Sequence, residues 1–140
     1  MAFVNAASAV GSAGAKIPVR LMGGKVRSSV AEFTFASDAI GTYTAPELWF
    51  AKGSVILDVA FNLSASAGAT ATLALGISGS TGKYRAAATL TSTDQWVNVG
   101  LNAAMGTALT ANEQWLLTVA AAALPASGRM LIRVLWTSNA

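Results

Sequence analysis

Apolar and polar residues alternate with a period of two between residues 55 and 77, which predicts two consecutive β-strands. In the first run, residues 55–63, the apolar positions on one side are Val55, Leu57, Val59, Phe61 and Leu63. In the second run, residues 69–77, the inward positions are Ala71, Leu73, Leu75 and Ile77. Glycine and serine mark the ends of both runs. Two half-buried strands in succession indicate an all-β fold.

The same alternation recurs along the rest of the chain. It predicts further strands over residues 25–36, 42–50, 83–90, 95–101, 112–122 and 129–137. The expected anchors of the first of these are Val26, Val30, Phe33 and Phe35. Because the phase slips between Val30 and Phe33, we expect a bulge or bend near Ala31.

Pro46 lies within the segment 42–50 and cannot donate to a strand ladder. We therefore expect that strand at a sheet edge, or split by a bulge. About eight strands at this spacing predict a single-domain antiparallel β-sandwich. The residues that we expect in its core are Leu57, Val59, Phe61, Leu73, Leu75, Ile132 and Val134.

The last predicted strand is apolar on both faces. One face is supplied by Met130, Ile132, Val134 and Trp136, which we expect to line the inside of the sandwich. The other face carries Leu131 and Leu135 with Arg133 between them. These leucines need cover from another layer, and a neighbouring subunit would provide it, with Arg133 reaching a carboxylate or carbonyl there. Leu131, Arg133 and Leu135 are therefore interface candidates.

Large aromatic side chains give further interface candidates. Trp49 and Phe50 point to opposite faces of their strand, so one of them needs cover from outside the core. Each tryptophan has three interpretations: core packing, a subunit-interface anchor or a sugar-stacking platform. The tryptophans are Trp49, Trp96, Trp115 and Trp136.

Residues 1–24 differ from the sandwich segment, 25–140, because they hold mostly small residues with little apolar bulk. They form either a mobile terminus or an extended N-terminal arm. Pro18 favours an extended local path. An arm would place on a neighbouring subunit the residues Phe3, Val4, Ile17, Val19, Leu21 and Met22.

Composition points to a protein that is covered by partners. Charged residues make up 11 % of the 140 residues, against about 25 % in ordinary soluble domains. So little charge suggests that other subunits cover part of the surface, which predicts a homo-oligomer, dimer or higher. The net charge is +3 and the basic residues are dispersed, so we expect no specific nucleic-acid binding. No apolar run approaches the length of a membrane span, and the N-terminus lacks the features of a signal peptide.

Residues that support catalysis are scarce. The chain has no histidine and no cysteine, which removes the commonest general base and the commonest transition-metal ligands. The acidic residues lie in separate segments: Glu32, Asp38, Glu47, Asp58, Asp94 and Glu113. The segment 78–82 matches a phosphate-binding loop in composition only, and a hairpin turn explains it better. We therefore expect a protein without enzymatic activity, cofactor or metal.

Several segments together resemble a known class of protein. They are Phe33–Phe35, Leu48–Ile56, Ala71–Thr81 and Ala123–Gly128. Through them, residues 25–137 are similar to the capsid cement (decoration) proteins of tailed bacteriophages. The resemblance implies a jelly-roll-like sandwich, self-association, and binding to major capsid protein on the outer surface of the virion shell. It implies no catalytic residues. The alternative is a tail- or fibre-associated module, or a carbohydrate-binding sandwich that uses exposed tryptophan.

Overall fold

The computed structural model describes residues 25–138, which form two facing four-stranded antiparallel sheets. The strands are β1 (Val26–Thr34), β2 (Gly41–Phe50), β3 (Val55–Leu63), β4 (Thr72–Ile77), β5 (Ser80–Thr89), β6 (Val97–Asn98), β7 (Glu113–Ala120) and β8 (Arg129–Thr137). The β1 sheet has the order β1-β8-β3-β6, and the β2 sheet has the order β2-β7-β4-β5. Within the described range the helical structure is one 3-10 turn, Asn102–Ala104.

The strands pair as a nested set: β1 with β8, β2 with β7, β3 with β6 and β4 with β5. Only the β4–β5 connection joins neighbours in one sheet, and every other connection crosses between sheets. This is the connectivity of a jelly roll, with two sheets of four strands. The predicted all-β sandwich with jelly-roll-like connections is confirmed.

The core lies between the sheets and contains every predicted core residue except Leu57. Leu57 is 42 % exposed, whereas its neighbour Ile56 is fully buried. The cause is a bulge in β3, where Ile56 pairs with Trp136 and Asp58 pairs with Leu135. One extra residue shifts the alternation, so strict period-two counting assigned Leu57 to the wrong face.

β1 also differs from the prediction: β3 has a bulge that was not expected, whereas β1 lacks the bulge that was expected. Its register with β8 is continuous over the whole strand, so the bulge expected near Ala31 is absent. The unbroken alternation gives Ala31 and Phe35 to the core and leaves Val26 and Val30 57 % and 47 % exposed. Those two valines are therefore not core anchors.

The irregular edge of the β2 sheet follows from Pro46. β2 is an edge strand, and its register with β7 shifts between Thr44 and Trp49. Both alternatives expected for Pro46, an edge position and a bulge, are present. The side-chain amide of Gln114 donates to the carbonyls of Ala45, at 2.5 Å, and Leu48, at 3.3 Å. It thus satisfies backbone acceptors that the distorted ladder leaves open.

At the opposite edge of the same sheet, Arg85 of β5 likewise satisfies backbone carbonyls. It is 8 % exposed and donates to the carbonyls of Leu73, Ala88 and Thr89 across the irregular β4–β5 ladder. Its guanidinium lies 5.7 Å from the centroid of the Phe61 ring. Burial lowers the pKa of Arg85. Arg85, one of the basic residues dispersed along the sequence, is thus part of the interior.

The free edge of β3 is covered by a long irregular segment. The strand predicted over residues 95–101 is regular only at Val97–Asn98. Beyond it, residues 99–109 follow β3 through backbone bonds: Val99 to the Val59 carbonyl, Gly106 to that of Ile56, and Leu109 to that of Ser54. These bonds satisfy the edge without a full strand.

Gly76 of β4 permits the close approach of β5. A Cβ at this position would lie 2.2 Å from the Ser80 carbonyl oxygen. We expect Gly76→Ala to lower the free energy of unfolding by about 1–3 kcal/mol, because backbone has to move. Gly82→Ala is the control, since its Cβ would meet its nearest neighbour at 3.5 Å, an ordinary contact. Urea denaturation followed by tryptophan fluorescence measures both, and equal losses would contradict the packing described.

Candidate functional site

The densest group of polar side chains in the interior surrounds Glu113, at the start of β7. Tyr84 donates its hydroxyl to Glu113 Oε1 at 2.5 Å, and Trp115 Nε1 donates to the same oxygen at 3.3 Å. Lys83 Nζ donates to Oε2 and forms an ion pair. The Tyr84 and Trp115 rings stack with centroids 3.9 Å apart. Alternation brings Glu113 and Trp115 to the same inner face of β7.

This arrangement ties strands together. Burial raises the pKa of Tyr84 strongly, and its hydrogen bond to Glu113 and the charge of that carboxylate add to the effect. Tyr84 therefore stays protonated and keeps donating. All three donors are directed at one carboxylate, so the cluster links β5 to β7 through satisfied bonds. Among residues 25–138, no group of three acidic, histidine or cysteine side chains is placed to hold a metal ion.

The more distinctive surface is the outer face of the β1 sheet, where apolar and charged side chains alternate in rows. Leu131 lies between Glu32 and Asn62, and Leu135 lies between Ser28 and Asp58. The members of this outer face with apolar or stacked side chains are Val26, Val30, Trp96, Leu131, Arg133 and Leu135. Met130, Ile132 and Val134 are fully buried on the inner side, as predicted for β8.

Arg133 sits at the centre of this outer face. Its guanidinium carbon lies 4.3 Å from the centroid of the Trp96 ring, and Nη2 lies 3.6 Å from Asp58 Oδ2. Its Nε is buried without a hydrogen-bond partner. Within its own chain, Arg133 thus meets a carboxylate and an aromatic ring, and its expected contact with a carboxylate or carbonyl of a neighbouring subunit stays a prediction.

The candidate aromatic pair divides between core and surface. Phe50 is 1 % exposed, and its ring centroid lies 4.9 Å from that of Trp115 and 5.5 Å from that of Trp136. Trp49 is 51 % exposed on the outer side of β2. The opposite orientation expected for the two residues is confirmed, and Trp49 is the member that a partner can reach.

Two tryptophans remain for a sugar platform, and they lie far apart in the topology. Trp49 belongs to the β2 sheet, whereas Trp96 immediately precedes β6 of the β1 sheet and covers Arg133. Trp115 and Trp136 pack in or against the core. The structure does not bring the exposed pair onto one sheet face. The candidates Phe3, Val4, Ile17, Val19, Leu21 and Met22 lie outside the described residues.

Two features of the outer face escaped sequence analysis. The stacking of Trp96 on Arg133 joins residues far apart in the chain, and no local pattern signals it. The exposure of Leu57 follows from the β3 bulge, and the local sequence gives no sign of it, because Val55, Ile56 and Leu57 are all apolar. Trp96 and Leu57 both add apolar side chains to the exposed surface of the β1 sheet. No helix of the described part is long and apolar enough to cross a membrane.

No protein-family model and no curated protein matches the sequence. Solved structures do match the fold. A chain of the cyanophage Pam1 capsid asymmetric unit is 24 % identical, with 99 % of each chain covered and a TM-score of 0.66. A chain of the acidic stable capsid structure of Helicobacter pylori bacteriophage KHP30 is 17 % identical, with 82 % of this chain and 89 % of that chain covered and a TM-score of 0.62. A chain of the capsid of Ralstonia phage GP4 is 16 % identical, with 84 % and 86 % covered and a TM-score of 0.63. The fold is thus shared with chains of phage capsids.

Burial of Tyr84 and its hydrogen bond to Glu113 predict how the free energy of unfolding changes at alkaline pH. Because the folded pKa is raised, the contribution of the protonated phenol is complete below the ordinary value of 10.0 and is lost as pH rises above it. We expect the wild-type protein to lose up to about 1.4 kcal/mol per pH unit through this side chain above that value. Tyr84→Phe should remove this part of the slope.

Urea denaturation at several pH values between about 9 and about 11 measures the slope. Tyr43→Phe is the matched control, since the Tyr43 hydroxyl donates to the Ala39 carbonyl at 2.5 Å. If Tyr84→Phe and the wild type have the same slope, then the folded protein does not hold the Tyr84 phenol protonated through burial and the bond to Glu113.

Proposed function

We propose that this protein is a structural component of a bacteriophage virion, and more specifically a cement (decoration) protein. In this role it binds the shell of major capsid protein from outside and stabilises it without enzymatic activity. The observation that carries the proposal is the fold shared with chains of phage capsids, above all the Pam1 chain, which is matched over 99 % of both chains. The sequence is also similar in size and pattern to the cement protein of a Bordetella podophage.

The distribution of charge supports the proposal. Charged residues are 11 % of the chain, and several of them are committed to its own interior or surface pairs. Arg85 bonds backbone carbonyls, Lys83 pairs with Glu113, and Arg133 pairs with Asp58. Few charges are left to keep a free monomer dispersed. A protein whose surface is covered by neighbouring subunits in its assembled state does not need more surface charge to stay dispersed.

The outer face of the β1 sheet is our proposed self-association surface. It combines half-exposed Val26 and Val30 with the partly buried Leu131 and Leu135 around the Trp96–Arg133 stack. Aromatic and arginine side chains surrounded by apolar residues are typical of interface centres. A symmetric homo-oligomer would cover these rows, and the opposite side of each protomer, which includes Trp49, would remain for the shell.

Purified virions of the phage that encodes this chain test the virion role. We expect the chain in a fixed ratio to the major capsid protein by quantitative mass spectrometry, and labelled by antibody on intact particles. Without its gene, shells should still form but release DNA at a lower temperature, and added purified protein should restore the wild-type temperature. Absence from particles would refute a virion role, a few copies at the tail would support the tail-associated alternative, and failure to form any shell would refute the cement role.

Self-association has a separate test. Light scattering of the purified wild-type protein at micromolar concentration should give an oligomer mass. Leu131→Glu combined with Leu135→Glu should reduce it to the protomer mass, because two charges would be desolvated in the interface. Thr42→Glu combined with Thr44→Glu is the control on the exposed edge of the β2 sheet. A wild-type monomer, or a full assembly mass in the leucine double variant, would remove this face as the interface.

A further inference from the structure

Arg133 and Asp58 lie on the outer face of the β1 sheet and satisfy each other only in part. Arg133 Nη2 lies 3.6 Å from Asp58 Oδ2, whereas hydrogen bonds of this kind are roughly 2.7–3.2 Å long. Arg133 Nε is buried and has no hydrogen-bond partner among residues 25–138. A guanidinium has several N–H donors and a carboxylate has several acceptor sites, and leaving a buried one unused is costly. The pair is therefore incomplete within one chain.

Trp96 fixes the arginine in place. The guanidinium carbon of Arg133 lies 4.3 Å from the centroid of the Trp96 ring, within the range of a cation–π contact. The side chains of Arg133 and Asp58 remain 30 % and 28 % exposed, so a partner can reach both from outside. Because the stacked guanidinium is already ordered, little side-chain entropy is lost when a further group binds it. The two charges thus form an ordered site for a partner that presents the opposite pair.

The register of β3 and β8 places the two charges on one diagonal of a rectangle. Asp58 pairs with Leu135, and Ala60 pairs with Arg133. Asp58 and Arg133 therefore occupy one diagonal, and Leu135 and Ala60 occupy the other. A two-fold axis that lies in an interface above the sheet and runs along the Leu135–Ala60 diagonal exchanges the ends of the charged diagonal. The face is therefore complementary to itself, because it presents both an acid and its matching base.

We propose that two copies of this chain pack with these faces together about that axis, so that Arg133 of each copy binds Asp58 of the other. Two arginines and two aspartates then alternate in a ring, and the nearest neighbours of every charge have the opposite sign. The second carboxylate supplies acceptors to the Arg133 donors that its own chain leaves unused. Leu135 meets its own counterpart beside the ring and excludes water from it. This inference names the contacts of the self-association surface proposed above, and it rests on that proposal.

Glu32 is a second acidic residue on this face, and it offers a competing arrangement. It pairs with Leu131, while Arg133 pairs with Val30, so Glu32 lies diagonally from Arg133 on the β1 side. A two-fold axis over Val30 and Leu131 would join Arg133 to Glu32 of the second copy. Asp58 is favoured because the Arg133 guanidinium is already turned toward β3, where Asp58 lies.

Charge reversal in the full-length chain tests the ring. Arg133→Glu leaves only acidic groups at the ring and Asp58→Arg leaves only basic groups, so like charges would meet across the axis in either variant. At a micromolar concentration where the wild type assembles, each variant alone should have the protomer mass by light scattering. An equimolar mixture of the two should regain the assembly mass, because every contact across the axis then joins an acid to a base. A pair that acts only within its own chain cannot be restored by mixing.

Two controls use the same face. Arg129→Glu reverses an exposed arginine of β8 that lies outside the ring, and it should keep the wild-type mass. Arg133→Glu mixed with Glu32→Arg should stay at the protomer mass. Rescue by Glu32→Arg, alone or as well as by Asp58→Arg, would overturn the proposal, since the axis would then lie between β1 and β8.

The outcomes also separate this proposal from the one on which it rests. A wild-type oligomer without rescue in the Asp58→Arg mixture overturns the ring and leaves the self-association surface standing. A wild-type monomer overturns both.

A cross-link provides a readout that keeps both charges. The sequence has no cysteine, and facing sheets pack about 10 Å apart, a gap that a short bis-maleimide spans. Leu135→Cys lies on the proposed axis, so two copies should be linked rapidly through the new thiols, as a denaturing gel shows. Leu131→Cys is the matched control on the same face of β8, and it should link several times more slowly because it lies off the axis. No link through Leu135→Cys, or an equal or faster rate through Leu131→Cys, overturns the axis.

Discussion

Backbone groups at the edges of two small sheets must find hydrogen-bond partners, and this requirement explains most of the irregular features of the chain. The β3 edge is satisfied by residues 99–109, which donate amides to β3 carbonyls without forming a full strand. Where β2 departs from its ladder at Pro46, the amide of Gln114 supplies donors. Where β4 and β5 lose register, the guanidinium of Arg85 donates to backbone carbonyls of Ala88 and Thr89. The side chains of Gln114 and Arg85 thus serve carbonyls that the ladders miss.

The same requirement explains what the sequence predicted well and what it did not. Period-two alternation located the strands and placed Leu73, Leu75 and Ile132 in the core, because burial of one face fixes the phase of a regular strand. It failed at Leu57, where an extra residue changes the phase and three consecutive residues, Val55, Ile56 and Leu57, are apolar. A bulge is set by pairing with β8, which lies far away in the sequence, so no local pattern in β3 contains it.

Side-chain roles were predictable only where local alternation decides them. The opposite orientation of Trp49 and Phe50 follows from adjacency alone. By contrast, the sequence gives no local signal for the roles of Arg85 and Glu113, and each proves to be held by partners brought together by the fold. The charged fraction of 11 % therefore overstates how much free charge the surface carries. Composition alone suggested that other subunits cover part of the surface. The structure adds that several charged side chains are buried or paired within the chain itself.

The position of β8 has a consequence for the order of events during synthesis. This strand follows the other seven described strands in the sequence, yet it lies between β1 and β3 and pairs with both along most of their length. Until residues 129–137 leave the ribosome, those two strands have no neighbour in the middle of their sheet. The β1 sheet therefore cannot close before residues 129–137 have been synthesised, and closing so long a chain segment is slow compared with local hairpin formation. A chain truncated before β8 would lack the strand that joins β1 to β3, so it could not form the closed sandwich.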